Sequence, residues 1–266
     1  MNLPDEPAIP APSAPSLGAT PPQGRFHFTT RFALVYGALT VILIASSALF
    51  VTFIVDGANG WSNWHPSPGT TAQVTKEIAD HVAGEYRTAA GAQLVAVVPS
   101  PPAVTIGTKN IAITAVAAHT SPNSNSDVQA RVTDGTETYT FCGLEAFCSL
   151  SGTPTVTRGQ LIRREALETA LYTFKYVPKI DSVIAFMPAS KTSTLKELLY
   201  LRKQDLTHEL NQPLRKTLTL ATPPAPQNPD LLEKGTIDQL TLHRVFSYTF
   251  TDLQSNGALL ILNPLF

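Results

Sequence analysis

The sequence predicts an α+β domain with a mixed or antiparallel sheet and two to three helices, carried on a single N-terminal transmembrane helix. Three observations predict it. Residues 32–55 run for 24 positions without Asp, Glu, Lys, Arg, His, Asn, Gln or Pro. From Thr70 onward, segments with helical spacing of apolar residues alternate with short β-rich runs. Asp134-Gly135 and Asn256-Gly257 stand between such runs, and these dipeptides favour tight turns.

The chain opens on a tail, residues 1–31. Its first 24 positions hold seven prolines among Ala and Ser, so it has too little apolar surface for a core and reads as disordered. At about 1.5 Å per residue, the run at 32–55 makes roughly 36 Å of helix, enough to cross a hydrocarbon layer of about 30 Å. A buried globular helix of that length would carry a polar stripe. A cleaved signal peptide would end its apolar region near Ser46-Ser47-Ala48, whereas Leu49-Phe50-Val51 prolongs it. An uncleaved signal-anchor fits better. Arg25 and Arg31 precede the span, Asp56 follows it, and the next Lys is Lys76. Cytoplasmic flanks are richer in Lys and Arg. The N-terminus is therefore expected in the cytoplasm and the rest outside, with the lipid bilayer contacted through 32–55.

Residues 56–69 are rich in turn formers and read as a stalk, with Trp61 and Trp64 suited to the membrane interface. Residues 70–222 form the expected main domain. Thr70 and Gln73 make a capping box, and Val74, Ile78, Val82 and Tyr86 mark one buried helix face. Strands are expected at Gln93–Val98 and Ile111–Val116, with a connection opening at Pro101-Pro102. A hairpin is expected from Val128–Thr133 through Asp134-Gly135 to Thr136–Cys142. Thr157 and Gln160 suggest a second capping box. The helix behind it places Leu161, Leu167, Leu171 and Phe174 inward and Arg163, Arg164, Glu165 and Glu168 on other faces. Pro178 ends it before a strand at Ile180–Phe186. Leu195–Lys203 reads as strand or short helix, Leu206–Asn211 as helix, and Leu214–Leu220 alternates as a strand would. A Pro-rich linker at 223–229 leads to 230–266, a short helix and a hairpin expected to pack on the main domain because so small a piece cannot stand alone.

Function classes narrow from charge and cysteines. The net charge is −1 with no basic stripe, which argues against nucleic acid as a partner. Cys142 and Cys148, the only cysteines, have five residues between them and read as a small-loop disulfide in an oxidising exterior. No metal-ligand set and no cofactor motif is present, so neither metal nor cofactor is expected. Ser193-Thr194-Leu195-Lys196 resembles the Ser-x-x-Lys of penicillin-recognising enzymes, but the companion Lys-Thr-Gly is absent. Cys142 with His119 and Arg158 is similar to the residue set of a sortase. Thr138–Cys142 partly resembles that family's Thr-Leu-x-Thr-Cys strand, one residue out of register.

The arrangement Phe28–Thr40 into a span, with Leu94-Val95-Ala96-Val97-Val98-Pro99-Ser100 beyond, resembles a group of bacterial single-pass membrane proteins with no assigned function. Arg164–Phe186 is similar to the helix–turn–strand of GerMN-type envelope domains, which implies a non-enzymatic binding or assembly module. The reading is thus a membrane-anchored module that binds an envelope protein or cell-wall component, with no catalytic residue. An anchored hydrolase or transpeptidase using Cys142 or Ser193 is the alternative.

Overall fold

The computed structural model describes residues 60–266 except 89, 107–108, 122–126, 151, 153–154, 189–195, 220–230 and 254–256. The tail, the span at 32–55, residues 56–59 of the stalk, the whole linker at 223–229 and Ser193 fall outside these. Among the described residues, no helix is long and apolar enough to cross a membrane.

Helix α1 (Thr71–Glu85) begins where the Thr70 hydroxyl accepts from the Gln73 backbone N–H at 3.3 Å. Its Val74, Ile78 and Val82 are buried, as the four-residue spacing requires. Strand β1 (Ala96–Ser100) lies later than the expected Gln93–Val98. It includes Pro99, paired with Tyr139, because β1 is an edge strand where a missing N–H is tolerated. The Pro101-Pro102 connection is short. It leads into β2 (Ala103–Ile106), which pairs antiparallel with β3 (Lys109–His119).

Strands β4 (Val128–Val132) and β5 (Thr136–Cys142) form where expected but do not form a hairpin. β4 pairs with β3, whereas β5 pairs with β1 and β6. Burial explains the separation: every residue of β4 is exposed, while β5 is almost wholly buried. The two are therefore an edge strand and a strand inside the sheet. Gly135, at φ +76°, makes the corner, and its carbonyl accepts from the N–H groups of Asp181 and Ser182.

Helix α2 (Val156–Tyr176) starts earlier than the expected Thr157 box. Thr155 is the cap, accepting from the Arg158 N–H at 3.2 Å. Strand β6 (Ser182–Phe186) follows and lies parallel to β5, so β5–α2–β6 is a crossover unit. The ambiguous Leu195–Lys203 run contains β7 (Glu197–Arg202), and a single turn of helix, α3 (Thr207–Leu210), comes next. Leu214–Leu220 is not a strand: a 3-10 turn spans Leu214–Lys216. Leu214 and Leu218 are both buried, a spacing that suits a helical turn better than alternation. Helix α4 (Leu231–Thr241), β8 (Val245–Asp252) and β9 (Ala258–Pro264) complete the domain, giving four helices among the described residues.

The sheet runs β1-β5-β6-β7-β8-β9-β3-β2, with β4 also on β3. It is mixed, since β5/β6 and β3/β9 are parallel and the other pairs antiparallel. β4 and β5 lie toward opposite ends of that order, yet only residues 133–135 join them. So short a link spans at most about 14 Å from Val132 to Thr136. The sheet must therefore curl until its ends nearly meet.

The period of two along each strand then gives the sheet two faces. On one, Tyr139, Phe141, Val183, Ala185, Leu199 and Leu201 pack under the helices. On the other, concave face, Ile113, Val116, Ile184, Leu198, Tyr200, Phe246, Leu260 and Leu262 form a second cluster. Residues 60–69 also belong to the domain. Trp61 and Trp64 each meet the Tyr172 ring edge-on at 5.3 Å, and the Trp61 carbonyl accepts from the Leu214 N–H at 2.7 Å.

Candidate functional site

Curling brings β4 across from β7, and a trough opens between them. Val116 and Ala118 of β3 and their partners Arg131 and Gln129 of β4 share one side of it. Tyr200 and Arg202 of β7 supply the other, with Phe246 of β8. Its first compartment has a volume of about 480 Å³ and ends at His119, His243 and Arg244. A second, of about 780 Å³, continues past Arg131, Tyr200 and Arg202 to Asp134, Asp181 and Lys203. The bottom is apolar, since Val116, Tyr200 and Phe246 are all nine-tenths or more buried.

Charge is distributed unevenly along it. Arg202 forks onto Asp205, Nε to Oδ2 at 2.8 Å and Nη2 to Oδ1 at 2.9 Å. Arg244 approaches the same carboxylate at 3.8 Å and donates to the Leu240 carbonyl at 2.6 Å. Arg131, exposed on β4, faces this pair with no acidic partner among the described residues. Three guanidiniums thus line the first compartment against one carboxylate side chain. The arginines are far apart in sequence and carry no motif, so periodicity and spacing gave no sign of them.

A second polar assembly lies under the helices. Arg164, 1% exposed, donates from Nη2 to Glu233 Oε1 at 2.9 Å and from Nη1 to Glu168 Oε2 at 3.1 Å. The Tyr86 hydroxyl donates to Glu168 Oε2 at 2.6 Å and also meets Arg164. Burial works against the Arg164 charge, but Tyr86, Glu233 and Glu168 outweigh it and hold the guanidinium protonated. Glu165 is fully buried, and neither carboxyl oxygen has a hydrogen-bond partner among the described residues. Burial, then the charge of Glu168, pushes its carboxyl well above the usual range and favours the neutral acid. These side chains contradict the sequence expectation that Arg164, Glu165 and Glu168 lie away from the core. The cluster ties α1, α2 and α4 together. It is a structural joint.

Cys142 and Cys148 sit at disulfide distance, with Cα atoms 4.4 Å apart. The Gly143 N–H donates to the Cys148 carbonyl at 2.9 Å, closing the loop. A Cβ on Gly143 would come within 2.1 Å of the Ser149 carbonyl oxygen, so only glycine fits. The sortase-like set is not assembled. His119 ends β3 and lines the trough, Arg158 stands in the first turn of α2, and Cys142 ends β5, which is no neighbour of β3. Among the described residues, no three His, Cys, Asp or Glu side chains group as a metal site.

No family model, no curated protein and no solved structure matches this chain. The trough itself therefore has to carry the functional argument.

Proposed function

We propose that the chain is a membrane-anchored, extracytoplasmic binding module of the cell envelope, with its N-terminus in the cytoplasm, and that it works without covalent chemistry. The observation that carries the placement is the pairing of the apolar run at 32–55 with two cysteines at disulfide distance downstream. Such a bond persists outside the cytoplasm, where thiols are not kept reduced. The non-enzymatic part is supported by the fate of Cys142: a sulfur bonded to Cys148 is no nucleophile. The trough supplies a concave binding face of ordinary ligand-site dimensions.

Thiol labelling in intact cells tests the placement. A cysteine introduced as Ser16→Cys is expected to resist an impermeant reagent, and one introduced as Lys109→Cys to react; the reverse pattern overturns the orientation. Crosslinking in the membrane followed by mass spectrometry is expected to capture an envelope protein or cell-wall fragment. The enzymatic alternative is tested with a fluorophosphonate and a β-lactam for Ser193 and a chloroacetamide for Cys142. Stoichiometric labelling that vanishes on unfolding would defeat the binding-module reading.

A further inference from the structure

We infer that the first compartment of the trough binds a small organic anion, a phosphate or carboxylate head on an apolar body. The inference rests on reading the domain as a binding module, but not on which side of a membrane it lies.

Three features carry it. First, cationic side chains are in excess: Arg131, Arg202 and Arg244 line the compartment against the one carboxylate side chain of Asp205, to which Arg202 is forked. Like charges gathered on low-dielectric walls raise the local potential and attract an anion. Second, the cations come from opposite walls. Arg131 stands on edge strand β4 and Arg202 on β7, with β8, β9 and β3 between them in the sheet order, so an anion between them is held from two sides. The fork onto Asp205 engages Nε and Nη2 of Arg202 and fixes its plane, which leaves Nη1 for a ligand oxygen. Guanidiniums suit phosphate and carboxylate because paired N–H donors match paired oxygens. Third, the head group is not the whole fit. Tyr200, Phe246 and Val116 form an apolar floor directly beneath the arginines. A volume of about 480 Å³ takes one small molecule rather than a folded partner. An ion without a body would leave that floor to water.

Isothermal titration calorimetry on the full chain in neutral detergent tests this, with phenyl phosphate as probe and inorganic phosphate and phenol as its two halves. Saturable binding of phenyl phosphate is expected, at least tenfold tighter than either half. Arg131→Glu is expected to weaken it at least tenfold. Arg131 is exposed on an edge strand, so the variant should fold, and an unchanged melting curve checks that. Lys109→Glu makes the same charge change outside the trough and is expected to leave affinity within twofold. Equal weakening by both variants would reduce the effect to bulk electrostatics and overturn the site. Binding no tighter than that of inorganic phosphate, or of phenol, would overturn the ligand class. No saturable binding would overturn the inference outright, while envelope crosslinking would still stand or fall separately. Release of phenol during the titration, abolished by Arg131→Glu, would support the anion site and defeat the non-enzymatic reading.

Discussion

Arg164 is the side chain least expected from its neighbours in sequence and the most constrained by its neighbours in space. A buried charge is tolerated only when paired and hydrogen-bonded, and Glu233, Glu168 and Tyr86 do this from three different elements or their ends. Removing one partner strands the other, so Glu233→Ala is expected to destabilise the domain by about 3–5 kcal/mol in urea unfolding. Lys76→Ala, which breaks the solvent-exposed pair with Asp80, is expected to stay within about 0.5 kcal/mol. Similar costs for the two would contradict the buried joint. Glu137 adds a pH dependence. Burial, opposed by the Thr75 hydrogen bond and Lys179, raises its carboxyl from 4.5 to about 7. The folded state thus holds a proton that the unfolded chain has released, and stability from this group is full below about 4.5 and falls as pH rises to about 7. Glu137→Gln removes the titration. The variant is expected to lose less melting temperature than the wild type between pH 5 and 8, and parallel losses would contradict the assignment. None of this was legible in sequence, because the amphipathic rule assumes one buried face. Helix α2 lies among α1, α4 and the sheet, so it is buried nearly all round, and its polar positions had to find partners inside.

At the scale of elements, what was legible is local. The spacing of Val74, Ile78 and Val82 identified α1, and the runs at 128–133 and 136–142 identified two strands. What was not legible is which strands meet. An Asp-Gly turn between two β runs favours a hairpin, yet here it turns a corner between an exposed edge and the sheet interior. Pairing is decided by burial on both faces, and no dipeptide encodes that. The trough escaped the sequence for the same reason, since Arg131 and Arg202 come together only through the curl. Helix starts fall between these cases. Thr155 and Thr157 are both plausible caps, but only the Thr155 hydroxyl accepts an orphan N–H. Thr155→Ala is therefore expected to cost about 1 kcal/mol in denaturant unfolding and Thr157→Ala only a few tenths. The opposite ranking would return the helix start to the Thr157 box.

The whole molecule depends on chain order in a way that makes the C-terminal segment indispensable. β8 and β9 lie between β7 and β3, hydrogen-bonded to both. Without them the sheet separates into β1-β5-β6-β7 and β2-β3-β4, leaving unpaired edges at β7 and β3. The concave cluster would also lose Phe246, Leu260 and Leu262, three of its eight buried members. Deleting α4 removes Glu233 as well, stranding Arg164. Unpaired edges and exposed apolar faces are the features that lead to aggregation. The β3–β9 pairing joins residues about 145 positions apart, Ile113 with Ala258 for one, and long-range strand pairs form slowly because the loop must close first. Deletion of residues 230–266 is accordingly expected to yield a chain that aggregates or lacks a cooperative thermal transition, read by light scattering and calorimetry. A soluble fragment 70–222 with a single sharp transition would mean that β1-β5-β6-β7 and the helices hold a core of their own. The last two strands would then be an addition to the fold and not its middle.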